Sequence, residues 1–599
     1  MKNIVKQDKK SDITFQNTKK MEVKNPEKLE GLKTYLENAP LEVPIYQREY
    51  SWELEQVSDL YHDIDNSNED SPLYLGSFLF YSSDNKVEII DGQQRLTTIF
   101  LIMYCIKERI EEWFTTIENP DEDTRTRYRT NVDRVTNFIY KKSGKGWDVT
   151  KTKELYLTTG RRDRDLFKSI LQNADFAKQK DGRRKSHKLL LNAYNFINNK
   201  TKSAGEIKKL IEYLDKINDC LYIAMKTTQK EDQKMLFKTL NSRGIALSES
   251  DLIKNEICTK IKSASDSKDE IESAVSIWDE MRETIESPKA NVDLFLFHYI
   301  NQLEDALDIR KHLDKRSSYS TDQDNLSPFI SEKMVFSAYE YKIATTTDIN
   351  RFLNDLKEKA EYYSEFYKPQ KLSVPYTTYL EGLRAMNLTK CYPLLLRGRE
   401  KLSIKNFERL TKAIEAISLK HSILSKEPKD LEKFYYQDLL RKLQSDKDID
   451  DIINKIKSHS SLTEENRFEE LFCSAAPKFG RMIIKRIIQS SKDEMLDFSP
   501  SVLTFEHIMP QTVKGEWKIL KESNEDLYDE YLNRLGNLTF IKYDKNIGAS
   551  NRDFVDKKEY YKNSIPFNKS LLDYPKWDFE EIDNRQKYLY SLAKEIWKI

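Results

Sequence analysis

Apolar residues recur at i, i+3, i+4 spacing through 205–219, 231–240, 249–263, 268–286, 350–368 and 404–423, which predicts a chain built largely of amphipathic helices. Two runs of β-branched and aromatic residues, LYLGSFLFY (73–81) and KVEII (86–90), flank the turn-like SSDN and predict two strands. Asp91-Gly92-Gln93 then opens a strongly apolar helix, QQRLTTIFLIMYCIKERIEEWF. LEVPIYQREYSW (41–52) reads as a short strand entering a helix, and CLYIAMKTT (220–228) as a strand that interrupts the helical middle. The polar, Lys-rich residues 1–20 are expected to be poorly ordered, and 314–328 to form an exposed loop. The stretch 443–463 reads as a charged, Ser-containing connection before the last domain, and no internal repeat is found.

Length sets the number of cores: 599 residues exceed what one core holds. The expected division is 20–260, a helical middle at 261–455, and 456–599. With 15 Gly and 16 Pro, long helices with short connections are favoured over a sandwich or barrel, so the fold class is mostly α with small β elements. Lys+Arg and Asp+Glu each total 99, so any nucleic-acid site must be a local patch. Five cysteines lie far apart without a CxxC pair, which argues for a reduced, cytoplasmic compartment and against a four-cysteine zinc site. No run of about 18 apolar residues occurs, and the opening MKNIVKQDKKSD lacks a signal-peptide core, so no membrane partner is expected.

The strongest chemical signal is FEHIMPQT (505–512) followed by RLGNLTFIKYDKNIGASN (534–551). Phosphodiester hydrolysis needs a base for water and a cation to stabilise charge on the phosphate and the leaving oxygen. A hairpin carrying Glu506-His507, packed on a helix carrying Asn546, would put a carboxylate and an amide oxygen on one hard cation, with the imidazole facing the phosphate. Oxygen ligands of this kind suit Mg²⁺ or Mn²⁺ better than Zn²⁺. The segment resembles the HNH (ββα-metal) nucleases, whose motifs are Asp/Glu-His-x-x-Pro and an Asn-Leu followed nine positions on by Asn or His. That resemblance implies that His507 is the general base, that Glu506 and Asn546 are metal ligands, and that Asn537 braces the loop holding His507. The chain departs from many HNH proteins in lacking a CxxC zinc knuckle. The tail, NRDFVDKKEYYKNSI with Trp577, Arg585 and Trp597, resembles the C-terminal helices of the GmrSD-type restriction family. Lys557, Lys558 and Lys562 there either neutralise DNA phosphates or form a solvated helix face.

Near the other end stand VPIYQREYSW (43–52), Gly76 and IIDGQQRLTTI (89–99). A strand ending in Asp91-Gly92 before a helix leaves backbone N–H groups free for phosphate, Gly92 permits close approach, and Arg95 can neutralise an oxygen. Asp91 would hold a Mg²⁺ or a ribose hydroxyl; the turn is otherwise a common one, and no Walker A loop exists in the chain. These motifs, with FKTLNSRGIALSESDLIKN (237–255), resemble the ParB-like NTPase domain of the GmrSD-type family. The resemblance implies binding and hydrolysis of an NTP with Mg²⁺, of undetermined base, at Asp91, Gly92, Gln93, Gln94 and Arg95, with Gln47 and Arg48. It adds Asn241, Arg243 and Gly244 as a second polar loop, while Asp251 and Lys254 read equally as a helix ion pair.

Between 125 and 188 the chain is rich in Arg and Lys, and this stretch, including Arg183, Arg184 and Lys185, either contacts DNA phosphates or is a solvated surface. Tyr128 and Trp147 lie among these charges and either stack on a base or pack in a core. The combined reading is an NTP-dependent DNA endonuclease of the modification-dependent restriction type, acting on phage DNA. The alternatives are a nucleotide-gated DNA-binding regulator with a vestigial HNH domain and an RNA-directed HNH nuclease. One HNH site cuts one strand per visit, so nicking or double-strand cutting depends on oligomeric state; a homodimer is compatible, though no interface is legible.

Overall fold

The computed structural model describes the chain except residues 1–21, 24–25, 37–38, 84–85, 142–153, 173–183, 205, 229–247, 266, 287–289, 317–328, 370–371, 475, 477–478 and 492–495. The expectations placed on 1–20 and 231–240, and on most of 314–328, lie outside the described residues. The chain divides into two compact units, Met1–Cys258 and Thr259–Ile599. The expected helical middle and C-terminal segment both fall in the second. The structure is mostly α, 68% helical, with two separate sheets among the described residues.

The first unit is organised on a seven-stranded sheet. Its strands are β1 (Glu22–Val23), β2 (Glu27–Lys28), β3 (Leu41–Glu42), β4 (Tyr74–Ser83), β5 (Lys86–Asp91), β6 (Leu157–Thr158) and β7 (Leu221–Thr227). The order is β1-β7-β4-β5-β3-β6, with β2 also on β7. β4 pairs antiparallel with β5, and β1 and β2 antiparallel with β7, while β4 runs parallel to β7, and β3 parallel to both β5 and β6. Helix α1 (Leu54–Asn66) follows the first motif, and α2 (Gln93–Thr115) follows β5. An apolar surface on every side forces α2 to be buried all round. Leu96 through Ile106 are indeed inaccessible, packed by the helices Glu122–Ile139, Lys185–Ser203 and Ile207–Asp219.

The second unit is helical until its end. The helix Lys268–Glu286 packs along Ile349–Tyr367, and Ile404–Ile423 runs through its interior. The charged stretch 443–463 is not a plain connection: Ile449–Lys457 is a helix whose Ile449, Ile452, Ile453 and Ile456 are buried. Near the C-terminus β8 (Leu503–His507) pairs antiparallel with β9 (Leu538–Lys542), in a register that sets Glu506 opposite Thr539 and His507 opposite Leu538. Helix α3 (Tyr543–Ala549) leaves β9 directly and packs on both strands, and α4 (Phe554–Lys562) and α5 (Phe579–Ile596) follow. Ile508, Met509, Trp517, Tyr561, Trp577 and Ile582 share the core beneath this hairpin.

Candidate functional site

His507 is the last residue of β8, so the strand fixes its backbone while its side chain lies at the strand's open end. The half-buried imidazole meets Asn533, with Nε2 3.2 Å from Asn533 Oδ1. With that oxygen as acceptor, Nε2 carries the proton and Nδ1 keeps its lone pair. Among the described residues no hydrogen bond reaches Nδ1. Burial holds the His507 pKa below its ordinary value; the Asn533 hydrogen bond opposes this and the Lys557 charge adds to it. The ring is therefore neutral near pH 7, the form that accepts a proton.

Asn537, wholly buried just before β9, ties the segment after His507 in place. Its Oδ1 accepts from Met509 N (2.7 Å) and Trp577 Nε1 (3.2 Å). Its Nδ2 donates to Met509 O (3.0 Å) and Leu532 O (2.9 Å), and its backbone O accepts from Ile508 N (2.9 Å). The close pass of Gly536 beneath α5 is required: a Cβ there would lie 2.0 Å from Ile582 O.

Glu506 is nearly buried. Its Oε1 accepts from Lys557 Nζ at 2.8 Å and Tyr561 OH at 3.4 Å. Lys557 also donates to His507 O (3.2 Å) and Ile508 O (3.0 Å). Burial pushes the Glu506 carboxyl up and the Lys557 ammonium down, each opposed by the attraction between the two. Three acceptors around Nζ call for three N–H groups, which only the ammonium supplies, so the pair is ionised. This corrects the expectation of Lys557 on a face open to DNA, because α4 turns it fully inward. Lys558, half-buried, donates to Leu572 O (3.0 Å), and Lys562 is exposed.

Asn546 lies half-buried on α3 and makes no side-chain hydrogen bond among the described residues. Glu506 and Asn546 are thus oxygen donors on one hairpin–helix element. In kind they fit a hard divalent cation in an open site. Among the described residues no trio of His, Cys, Asp or Glu side chains could form a closed metal cage.

In the first unit the motif residues hold one another. Gln47 Nε2 donates to Ile90 O (3.1 Å), Gln93 Nε2 to Arg48 O (3.2 Å) and Gln94 Nε2 to Glu49 O (3.1 Å), while Ser51 N donates to Gln94 Oε1 (2.9 Å). Arg95 is turned back onto Leu75 O and Ser77 O (2.9 Å), 3.4 Å from Asp91 Oδ2. Gly92 caps α2 with φ +95°, and a Cβ would strike Phe78 Cδ1 at 2.1 Å, so packing as well as conformation demands glycine. Arg48 and Asp91 remain partly exposed. Reasoning from sequence missed Asp163, whose buried carboxylate accepts from Tyr50 N at 2.6 Å and whose own signal is only a GRRDRD run. It also missed Asn533, one polar residue among many.

Asn241, Arg243 and Gly244 lie outside the described residues, as do Arg183 and Trp147. Asp251 and Lys254 are buried on Glu249–Ala264. Arg184 and Lys185 are exposed, and Tyr128 stacks on Phe114 with centroids 3.8 Å apart, so it is a packing residue. No helix among the described residues is long and apolar enough to cross a membrane.

Two family models match this chain: GmrSD restriction endonuclease, N-terminal domain, over residues 29–258, and GmrSD restriction endonucleases, C-terminal domain, over 463–592. The chain belongs to the GmrSD restriction endonuclease family. It is accordingly a restriction-type nuclease with DNA as its substrate. No curated protein matches the chain at a significant level.

Proposed function

We propose that the chain is an NTP-dependent DNA endonuclease of the HNH type, acting against modified phage DNA, with His507 as the general base. The observation that carries this reading is the neutral His507 at the end of β8, its Nε2 anchored on Asn533 and its Nδ1 left with a lone pair. Nδ1 would take a proton from the attacking water, and the Asn537 ties on Met509 would keep the ring's supporting loop from drifting. Glu506 and Asn546 would hold Mg²⁺ or Mn²⁺, which supplies stabilisation of charge on the phosphate and on the leaving oxygen. The nucleotide would bind the first unit around Gln47, Arg48 and residues 91–95, with Asn241 and Arg243, and its hydrolysis would gate cutting. The intact Glu506, His507, Asn537 and Asn546 set favours this over a nucleotide-gated regulator that never cuts.

The test is plasmid cleavage with Mg²⁺ or Mn²⁺, wild type against His507→Ala, on modified and unmodified DNA, with and without NTPs. Metal-dependent scission that the mutant lacks, with NTP hydrolysis retained, is expected. No scission in any condition, alongside NTP hydrolysis, would move the reading to the regulator. Preferential digestion of RNA would move it to an RNA-directed nuclease.

A further inference from the structure

Lys557 is a costly residue to keep. Its side chain is entirely inaccessible, and a buried ion pair is commonly matched or exceeded in stability by apolar residues of similar volume. Every hydrogen bond its ammonium makes among the described residues goes to three consecutive residues: the Glu506 carboxylate, the His507 carbonyl and the Ile508 carbonyl. Those residues are the end of β8 and the start of the loop that Asn537 ties from the other side. The lysine therefore grips the strand where it presents the imidazole, and it holds Oε1 of the carboxylate. Tyr561, one helical turn further along α4, supports the same oxygen.

We propose that Lys557 is a positioning residue of the nuclease site: its buried ammonium fixes the Glu506 carboxylate and the His507 backbone together, so that metal ligand and base keep one geometry. This rests on the HNH reading above. Without the ammonium, Glu506 Oε1 and the His507 and Ile508 carbonyls lose the group that holds them together, and the metal ligand and the base are free to shift relative to one another.

Wild type, Glu506→Gln, Lys557→Met, Lys557→Arg and the neutral pair Glu506→Gln/Lys557→Met are compared in thermal melting, Mn²⁺ binding by calorimetry, and single-turnover plasmid cleavage. Lys557→Met is expected to weaken Mn²⁺ binding and slow cleavage by about 10- to 100-fold each, the range for residues that orient a metal ligand. The DNA concentration for half-maximal rate should stay within about threefold, because the lysine does not reach substrate. Lys557→Arg should recover part of both losses, and the neutral pair should melt above Lys557→Met while still failing to cut. If Lys557→Met does not fold, Lys557→Arg carries the comparison, with intermediate Mn²⁺ affinity and rate expected. A folded Lys557→Met, or in its place a folded Lys557→Arg, with wild-type Mn²⁺ affinity and rate overturns the proposal. So does a neutral pair whose melting loss is the simple sum of the two single losses. Wild type that never cuts overturns the HNH reading instead, and the melting comparison still reports whether the pair is coupled.

Discussion

Asn537 and His507 divide the labour of the site between support and chemistry, and each can be probed alone. Replacing Asn537 with Ala removes four side-chain hydrogen bonds, leaving Met509 N, Met509 O, Leu532 O and Trp577 Nε1 without that partner. Each buried group left unpaired costs about 1–3 kcal/mol, so Asn537→Ala should lose at least about 3 kcal/mol in urea unfolding, and cleavage with it. A loss below about 1 kcal/mol would mean that water replaces the amide freely. For His507 the sign follows from its lowered pKa: the neutral, proton-accepting form already dominates at pH 7 and is lost only on acidification. The cleavage rate should therefore be flat through neutrality and fall below a break that lies under 6.5, the ordinary histidine value. A break above that value would show that burial does not govern this ring. The residue types of this site were legible because Glu-His-x-x-Pro and the paired Asn carry their chemistry in sequence. Lys557 was not: its inward turn is decided by Glu506, 51 positions earlier, and a lysine pair on a charged helix gives no local sign of it.

At the scale of elements, periodicity revealed what was long and missed what was short. The strands β4, β5 and β7 and the helix α2 were readable from β-branched runs and a continuous apolar stretch. The two-residue strands β1, β2 and β6 are too short to hold a period, and they exist because a sheet edge was available to pair with, whereas β3 was readable as the short strand that opens 41–52. The helix Ile449–Lys457 has a clean stripe of four isoleucines, but the flanking charges and serines mask it when the segment is read as a whole. Two glycines show how tightly elements fix the motifs. Gly92→Ala must leave a left-handed backbone and displace Phe78, so it should destabilise the β5–α2 junction by about 1–3 kcal/mol, as strained positions do. Gly536→Ala meets backbone rather than a side chain that can swing away, so it should be the more damaging of the two. Thermal melting of both variants checks the order, and an undisturbed Gly536→Ala would mean that α5 can lift from the loop.

On the scale of the molecule, the second unit is drawn together by one acid. Glu415, wholly buried in the helix Ile404–Ile423, lies 3.2 Å from Arg486 on the helix Gly480–Ser490 and accepts from Trp597 Nε1 at 3.3 Å. Three segments far apart in sequence thus meet at a single carboxyl. Burial raises its pKa to about 7, against the pull of Arg486. A carboxyl whose folded pKa lies above its unfolded value stabilises the fold while protonated: the contribution is complete below the unfolded value of 4.5 and is lost as pH rises through about 7. The shift corresponds to roughly 3 kcal/mol across that window. Thermal melts at pH 5.5 and 8.5, values on either side of the upper pKa, should show wild type losing stability where Glu415→Gln, which cannot ionise, loses markedly less. Parallel losses in the two proteins would mean that Arg486 keeps Glu415 ionised throughout, and the three segments would then be joined by a permanent salt bridge rather than by a proton.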